Sequence, residues 1–215
     1  MIKGGKMKKG KKIILLTLFC VMSAVFFWSC GGSNPGAPGT SGSSDTGIVA
    51  TVVSVTRSDP NGDQGDQWQV DLAQDLCPSG DAEVWGDDLA HIVFHGELIN
   101  PNLIPPIQTN QLFVTNYTVT FFKTDPSIPT IAQISGASQA GMTILPGQDT
   151  GPFSFLVVDF GRKLKLQNDL SSGINNVSTP LLYNMVIQIN VTDKYGNNDK
   201  IIIERLIEIA DYNNC

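Results

Sequence analysis

The stretch Arg57–Trp68 (RSDPNGDQGDQW) brings Asp59, Asn61, Asp63 and Asp66 close together in the chain. Calcium takes roughly six to eight oxygen ligands, and alternating Asp and Asn side chains can supply them. These four residues are the candidate calcium ligands. The spacing opens as D-x-N-x-D, but Gln64 stands where a helix–loop–helix calcium loop needs its turn glycine, and Val70 where it needs a bidentate Glu. The same Asn-Gly and Asp-x-x-Gly steps also build hairpin turns. A cation site and a plain turn are both open on these residues.

A second acidic group, Asp81, Glu83, Asp87 and Asp88, follows Cys77-Pro78 and surrounds Trp85. It reads as a solvated loop, or as a companion to the first loop at one end of the domain. His91 and His95 are the two histidines, and on a strand they share a face with Val93 and Glu97. Strand neighbours two apart lie about 6.5 to 7 Å from each other, so His95 and Glu97 could begin a metal site; His91 and His95, about 13 Å apart, cannot close one unaided. Two histidines on a solvated strand face is the expectation. Gly161–Leu166 (GRKLKL) sets Lys163 and Lys165 against Leu164 and Leu166, the pattern of a charge-protected edge strand.

Other chemistries lack their residues. No histidine follows Cys215 and none follows Cys77 before His91, which fails a blue-copper site. There is no C-x-x-C-H, no G-x-S-x-G and no phosphate loop, and two histidines give a Ser-His-Asp triad few ways to form. A carboxylate-pair glycosidase stays open on spacing alone. Sixteen Asp against four Glu, however, point to surface and turns.

The elements that must carry these residues alternate with period two. Ile48–Thr56 is rich in β-branched residues, and Asp66–Leu72 alternates weakly. Ala90, Ile92, Phe94 and Leu98 mark one face of a strand, Tyr117, Val119 and Phe121 another, and Phe153, Phe155 and Val157 a third. Leu181, Tyr183, Met185, Ile187, Ile189 and Val191 form the longest such face, and Lys200–Ile209 closes the chain. Pro, Gly, Asn and Asp clusters separate the runs. Seven or more short strands with turns between them predict an all-β sandwich.

Six lysines crowd the first twelve positions, and the uncharged run Ile13–Phe27 follows. That run is short of the roughly twenty apolar residues of a membrane span. It reads as a secretory signal peptide. Phe27-Trp28-Ser29-Cys30 resembles the lipobox of bacterial lipoproteins in its small Ser29 and its Cys30; Phe27 and Trp28 depart from the usual leucine and small residue. The resemblance implies that residues 1–29 are removed, that Cys30 is lipidated, and that acyl chains hold the protein on a membrane. Gly31, rather than Asp, after the cysteine implies the outer membrane. Residues 30–47 then form a Gly/Ser/Pro-rich tether with no apolar periodicity to order it.

With the signal removed, the chain keeps all twenty acidic residues and eight of fourteen basic ones, a net charge of −12. Such a surface excludes a nucleic-acid partner. In the same lipoprotein reading Cys20 is discarded and Cys30 acylated. Cys77 and Cys215 remain, in an oxidising compartment where a leftover pair reads as a disulfide; two free thiols are the alternative.

YNMVIQINVTDKYGNNDKIIIE, starting at Tyr183, resembles the last two strands of immunoglobulin-like folds in bacterial surface proteins, with Asp193 and Gly196 turning the hairpin. The resemblance implies a single immunoglobulin-like β-sandwich over residues 48–215. The expected function is a non-catalytic binding or scaffolding module in the cell envelope with a protein or glycan partner. A calcium- or ligand-binding sensor and a small hydrolase of envelope polymers are the rivals.

Overall fold

The computed structural model describes residues 46–99, 110–137, 141–172 and 179–212. All belong to the second of the two units into which the chain divides, Asn34–Cys215. Residues 1–45, over which the signal segment, the lipidated Cys30 and most of the tether are expected, and Cys215 lie outside the described residues.

The chain folds as an all-β sandwich of two sheets. The first sheet has the order β2-β1-β4-β8, built from β1 (Ile48–Asp59), β2 (Gly62–Gly65), β4 (Asp88–Leu98) and β8 (Phe153–Val158). The second runs β3-β10-β9-β5-β6, from β3 (Gln69–Asp71), β5 (Leu112–Lys123), β6 (Ile134–Ala137), β9 (Leu181–Asp193) and β10 (Asn198–Ala210), with β7 (Thr143–Ile144) also on β5. All pairings are antiparallel except β3 with β10.

Strict alternation is what makes β9 the centre of its sheet. Leu181, Tyr183, Met185, Ile187, Ile189 and Val191 are all buried, and Ile201, Ile203, Ile207 and Ile209 of β10 line up on the same inner face. Ala90, Ile92 and Phe94 of β4 and Phe155 and Val157 of β8 face them from the first sheet. Tyr117 of β5 and Phe155 of β8 meet edge to face across the core at 5.1 Å between ring centroids. The Tyr117 hydroxyl accepts the Leu156 amide at 3.1 Å. Gly136 of β6 makes room for that tyrosine, since a Cβ there would lie 2.3 Å from the ring.

The β9–β10 hairpin turns at Asp193–Asn197, with Gly196 at φ +87°. Oδ1 of Asp193 accepts the amides of Tyr195 and Asn197 at 2.8 and 2.9 Å, and Oδ2 accepts the side-chain amides of Asn110 and Asn197, both at 3.0 Å.

Two bulges break the period. In β1 the register with β4 slips between Val52 and Ser54, and in β5 the register with β9 slips between Val114 and Asn116. A one-residue slip moves every following side chain to the opposite face. Ile48, Ala50 and Val52 face inward before the first bulge; Val55 and Arg57 face inward after it.

The GRKLKL segment is not an edge strand. It lies in a helix, α1 (Phe160–Ser171). Asp159 caps it, its Oδ1 accepting the Arg162 amide at 2.7 Å, and a capped start competes well with a short alternating run. Helical spacing puts Lys163, Leu166 and Leu170 on the stripe that meets the core. Lys165 is left outside, 2.6 Å from Asp169 one turn on.

Candidate functional site

The bulge in β1 has a chemical result: it turns Arg57 into the end of the sandwich. Arg57 is 4 % exposed, and it meets Asp88, the first residue of β4, which is fully buried. Nη1 of Arg57 donates to Oδ1 of Asp88, Nη2 lies 3.2 Å from Oδ2 of Asp59, and Nε donates to the Gln67 carbonyl at 3.0 Å. Lys163 reaches in from α1, 1 % exposed, with Nζ 2.7 Å from Oδ2 of Asp88. Two cations thus share one carboxylate, with Asp59 as the second anion. Burial pushes the Asp88 carboxyl above the ordinary range, against the pull of Lys163 and then Arg57.

Trp85 covers the cluster. Its ring centroid is 5.9 Å from Lys163 Nζ, its edge packs on Phe160 at 4.8 Å, and its indole N–H donates to the Asp71 carbonyl at 3.2 Å. Asp87 accepts the Phe160 amide at 2.8 Å, which ties the Trp85 loop to the start of α1. Asp59, Asn61, Asp71, Trp85 and Lys163 line a small cleft at this end.

The two acidic loops therefore do meet at one end of the sandwich, through Asn61, whose side-chain amide donates to the Val84 carbonyl at 3.3 Å. The second loop is not simply solvated. Asp81 and Asp87 are exposed, but Glu83 and Asp88 are buried. In the first loop, Asp59 caps a hairpin turn between β1 and β2, accepting the Asn61 amide at 2.8 Å and the Gln64 side chain at 3.1 Å. Asp66 is exposed, and Asp63 pairs with Ser58 through the backbone of β2. Among the described residues no group of three or more His, Cys, Asp and Glu side chains is arranged to hold a metal ion.

His91 and His95 share the outer face of β4, as expected, and each has a partner. Nδ1 of His91 lies 2.9 Å from Ser154 Oγ. His95 sits between Asp149, 2.5 Å from Nδ1, and Glu97, 3.8 Å from Nε2. Asp149 arrives from the segment before β8 that bridges to β4, a neighbour that strand spacing alone does not reveal.

At the other end of the chain, the Leu72 amide donates to the Ala210 carbonyl at 2.7 Å and the Tyr212 amide to Asp71 Oδ1 at 3.0 Å. The tail thus runs beside the segment leading to Cys77. Cys77 carries no free thiol. Cys215 lies outside the described residues.

A second surface stands out on the outer face of the β3-β10-β9-β5-β6 sheet. Phe122, Asn184 and Leu206 are cross-strand neighbours in one row, with the two apolar side chains 54 % and 56 % exposed. Val186, Glu204 and Arg205 complete the groove around them.

Arg57, Lys163 and Asp71 are the site residues that strand alternation misses. The signals for two of them were an arginine in a strand whose period changes and a lysine one turn after a capping Asp. No protein-family model matches the chain, and no curated protein or solved structure matches it either.

Proposed function

We propose that the chain is a bacterial envelope lipoprotein, anchored to a membrane by lipid on Cys30, whose domain is an immunoglobulin-like module that binds or scaffolds a protein or glycan partner without catalysing a reaction. Strand order supports the module: β1, β4 and β8 sit together as strands A, B and E do, and β10, β9 and β5 as G, F and C do. The basic and apolar segments before Cys30, followed by the Gly/Ser/Pro tether, support the anchor, and Gly31, rather than Asp, after the cysteine supports an outer-membrane location. The net charge of −12 without the signal supports a partner other than nucleic acid. Cys77 and Cys215 are the natural disulfide pair, supported by the tail that runs beside Asp71 and Leu72.

The observation that carries the binding reading is the Phe122–Asn184–Leu206 row, because exposed apolar groups clustered on a sheet face mark contact surfaces. Arg57, Lys163, Asp59 and Asp88 of the buried end, by contrast, pair with one another. A photo-crosslinking residue at position 122 in intact cells should give a discrete adduct, and the same residue at the exposed position 53 of the other sheet should not. Equal labelling at both positions, or none at 122, overturns the assignment.

A further inference from the structure

β10 has one edge that the described residues leave open. β3 pairs with it only from Glu208 to Ala210, so Asn198–Ile207 has no strand on the side away from β9. The Glu208 amide donates to the Trp68 carbonyl at 2.9 Å, and the Ala210 carbonyl accepts the Leu72 amide at 2.7 Å. Even-numbered residues of β10 thus turn their backbone groups away from β9. Those groups alternate sides along a strand, and the register with β9 is unbroken. Lys200, Ile202, Glu204 and Leu206 therefore present N–H and C=O to the open side. The other edge strands among the described residues are short: β2 and β6 have four residues, β3 three, β7 two and β8 six.

A long β-branched edge is a template for pairing, and proteins usually blunt it with proline, a bulge or a lone lysine. β10 has neither proline nor bulge. Its charges follow a mirror pattern instead. Read outward from Ile202, Asp199-Lys200-Ile201-Ile202-Ile203-Glu204-Arg205 sets isoleucine against isoleucine, lysine against glutamate and aspartate against arginine.

We propose that this edge pairs antiparallel with the same edge of a second copy, centred on Ile202, and makes a two-fold dimer with one sheet running through both domains. A two-fold interface must be complementary to itself. Here Lys200 comes opposite Glu204 of the second copy, and Asp199 opposite its Arg205. Centring on Lys200 or Glu204 would set like charges face to face, and centring on Ile201 or Ile203 would set each charge against an uncharged residue. The length fits too. The mirrored stretch runs from Asn198, where β10 begins, to Leu206, just before β3 takes over at Glu208.

The side chains that would form the outer charge pairs now cap the edge. Oδ1 of Asp199 accepts the Lys200 amide at 2.8 Å, and Nη1 of Arg205 donates to the Glu204 carbonyl at 2.9 Å. In the dimer the Lys200 amide donates to the Glu204 carbonyl of the second copy. The released carboxylate and guanidinium then lie opposite each other, so hydrogen bonds are exchanged rather than lost. On the inner face the buried Ile201 and Ile203 continue across the seam. Phe122 lies on β5, two strands from the seam, so the dimer and the partner surface stand or fall separately.

Disulfide trapping and native mass spectrometry of the full chain test the dimer. Hydrogen-bonded residues opposite each other in an antiparallel pair have Cα atoms about 5.5 Å apart, within disulfide reach. Ile202→Cys should therefore give a covalent dimer on mild oxidation, and Gln188→Cys, beside it on β9, should not. Lys200→Glu should weaken the dimer roughly tenfold or more, since two cross-strand pairs change from attraction to repulsion. Combining it with Glu204→Lys should restore the dimer. Both positions are exposed, so these substitutions leave the core untouched. A monomeric wild-type chain, equal trapping at 202 and 188, a dimer indifferent to Lys200→Glu, or a double variant that fails to recover overturns the proposal.

Discussion

Lys163 of α1 and Asp88 of β4 meet at 2.7 Å with both side chains sealed from solvent, and Arg57 holds the other oxygen of the same carboxylate. The three residues join a helix to the two central strands of one sheet. Removing one member of a buried ion cluster leaves its partners charged and desolvated, which usually costs more than the cluster itself contributes.

The cost should depend on which member is lost. Asp88→Ala leaves two cations facing each other and should destabilise by about 3 to 5 kcal/mol. Lys163→Met leaves Asp88 paired with Arg57 and keeps the aliphatic packing under Trp85, so it should cost clearly less. Urea unfolding of the two variants checks the order; equal costs would mean that Arg57 does not neutralise Asp88 alone.

The Asp193 turn makes an acid-side prediction. Burial by itself would raise this carboxyl, but the donors from Asn110, Asn197 and Tyr195 hold it below the ordinary range. A depressed carboxyl stabilises the fold above its unfolded value, and that stability is lost as pH falls through the folded one. Asp193→Asn turns an NH2 toward the Asn110 and Asn197 amides and should cost about 1.5 to 3 kcal/mol at pH 7. The gap from wild type should shrink steadily in melts below pH 4, and a gap independent of pH would contradict the assignment.

For the anchor, Cys30→Ala should leave the protein unlipidated and move it from the membrane fraction to the soluble one. Intact-mass analysis of wild-type protein showing a free N-terminus at a different cleavage point would refute the lipidation.

The cysteine pair is tested by reduction. Opening a Cys77–Cys215 bridge releases a long loop, worth roughly 4 to 5 kcal/mol at the upper end of the chain-entropy model. The melting temperature should drop, and carboxypeptidase should then remove the last residues first. Two thiols titrating in protein taken unreduced from cells would rule the bridge out.

The strands that keep one period from end to end were legible in the sequence. β9 is the clearest, since every second residue from Leu181 to Val191 is apolar and every one is buried. The inner face of β4 and the Asp193–Gly196 turn were legible for the same local reason. The charged end was not, because its residues are brought together by features that alternation does not encode. Arg57 looks like a turn-flanking surface residue until the bulge reverses its strand. Lys163 looks like the outer face of a strand because a four-residue alternation is also compatible with a helix, and the decisive residue, Asp159, acts through a backbone amide three positions on. Asp71 and Asp88 read as surface acids because Tyr212, Arg57 and Lys163, which they meet, are distant in the chain.

The extra residue at Val53 also bears on the gene. Loss of that single codon would restore unbroken alternation to β1 with every later side chain kept in place: Val52 inside, Ser54 outside, Val55 and Arg57 inside, opposite the same β4 partners. Loss of Thr56 would instead set Val55 against Arg57, because the arginine turns outward if the bulge stays and the valine does if the bulge closes. One codon of this strand is therefore spare, and another three positions on is not.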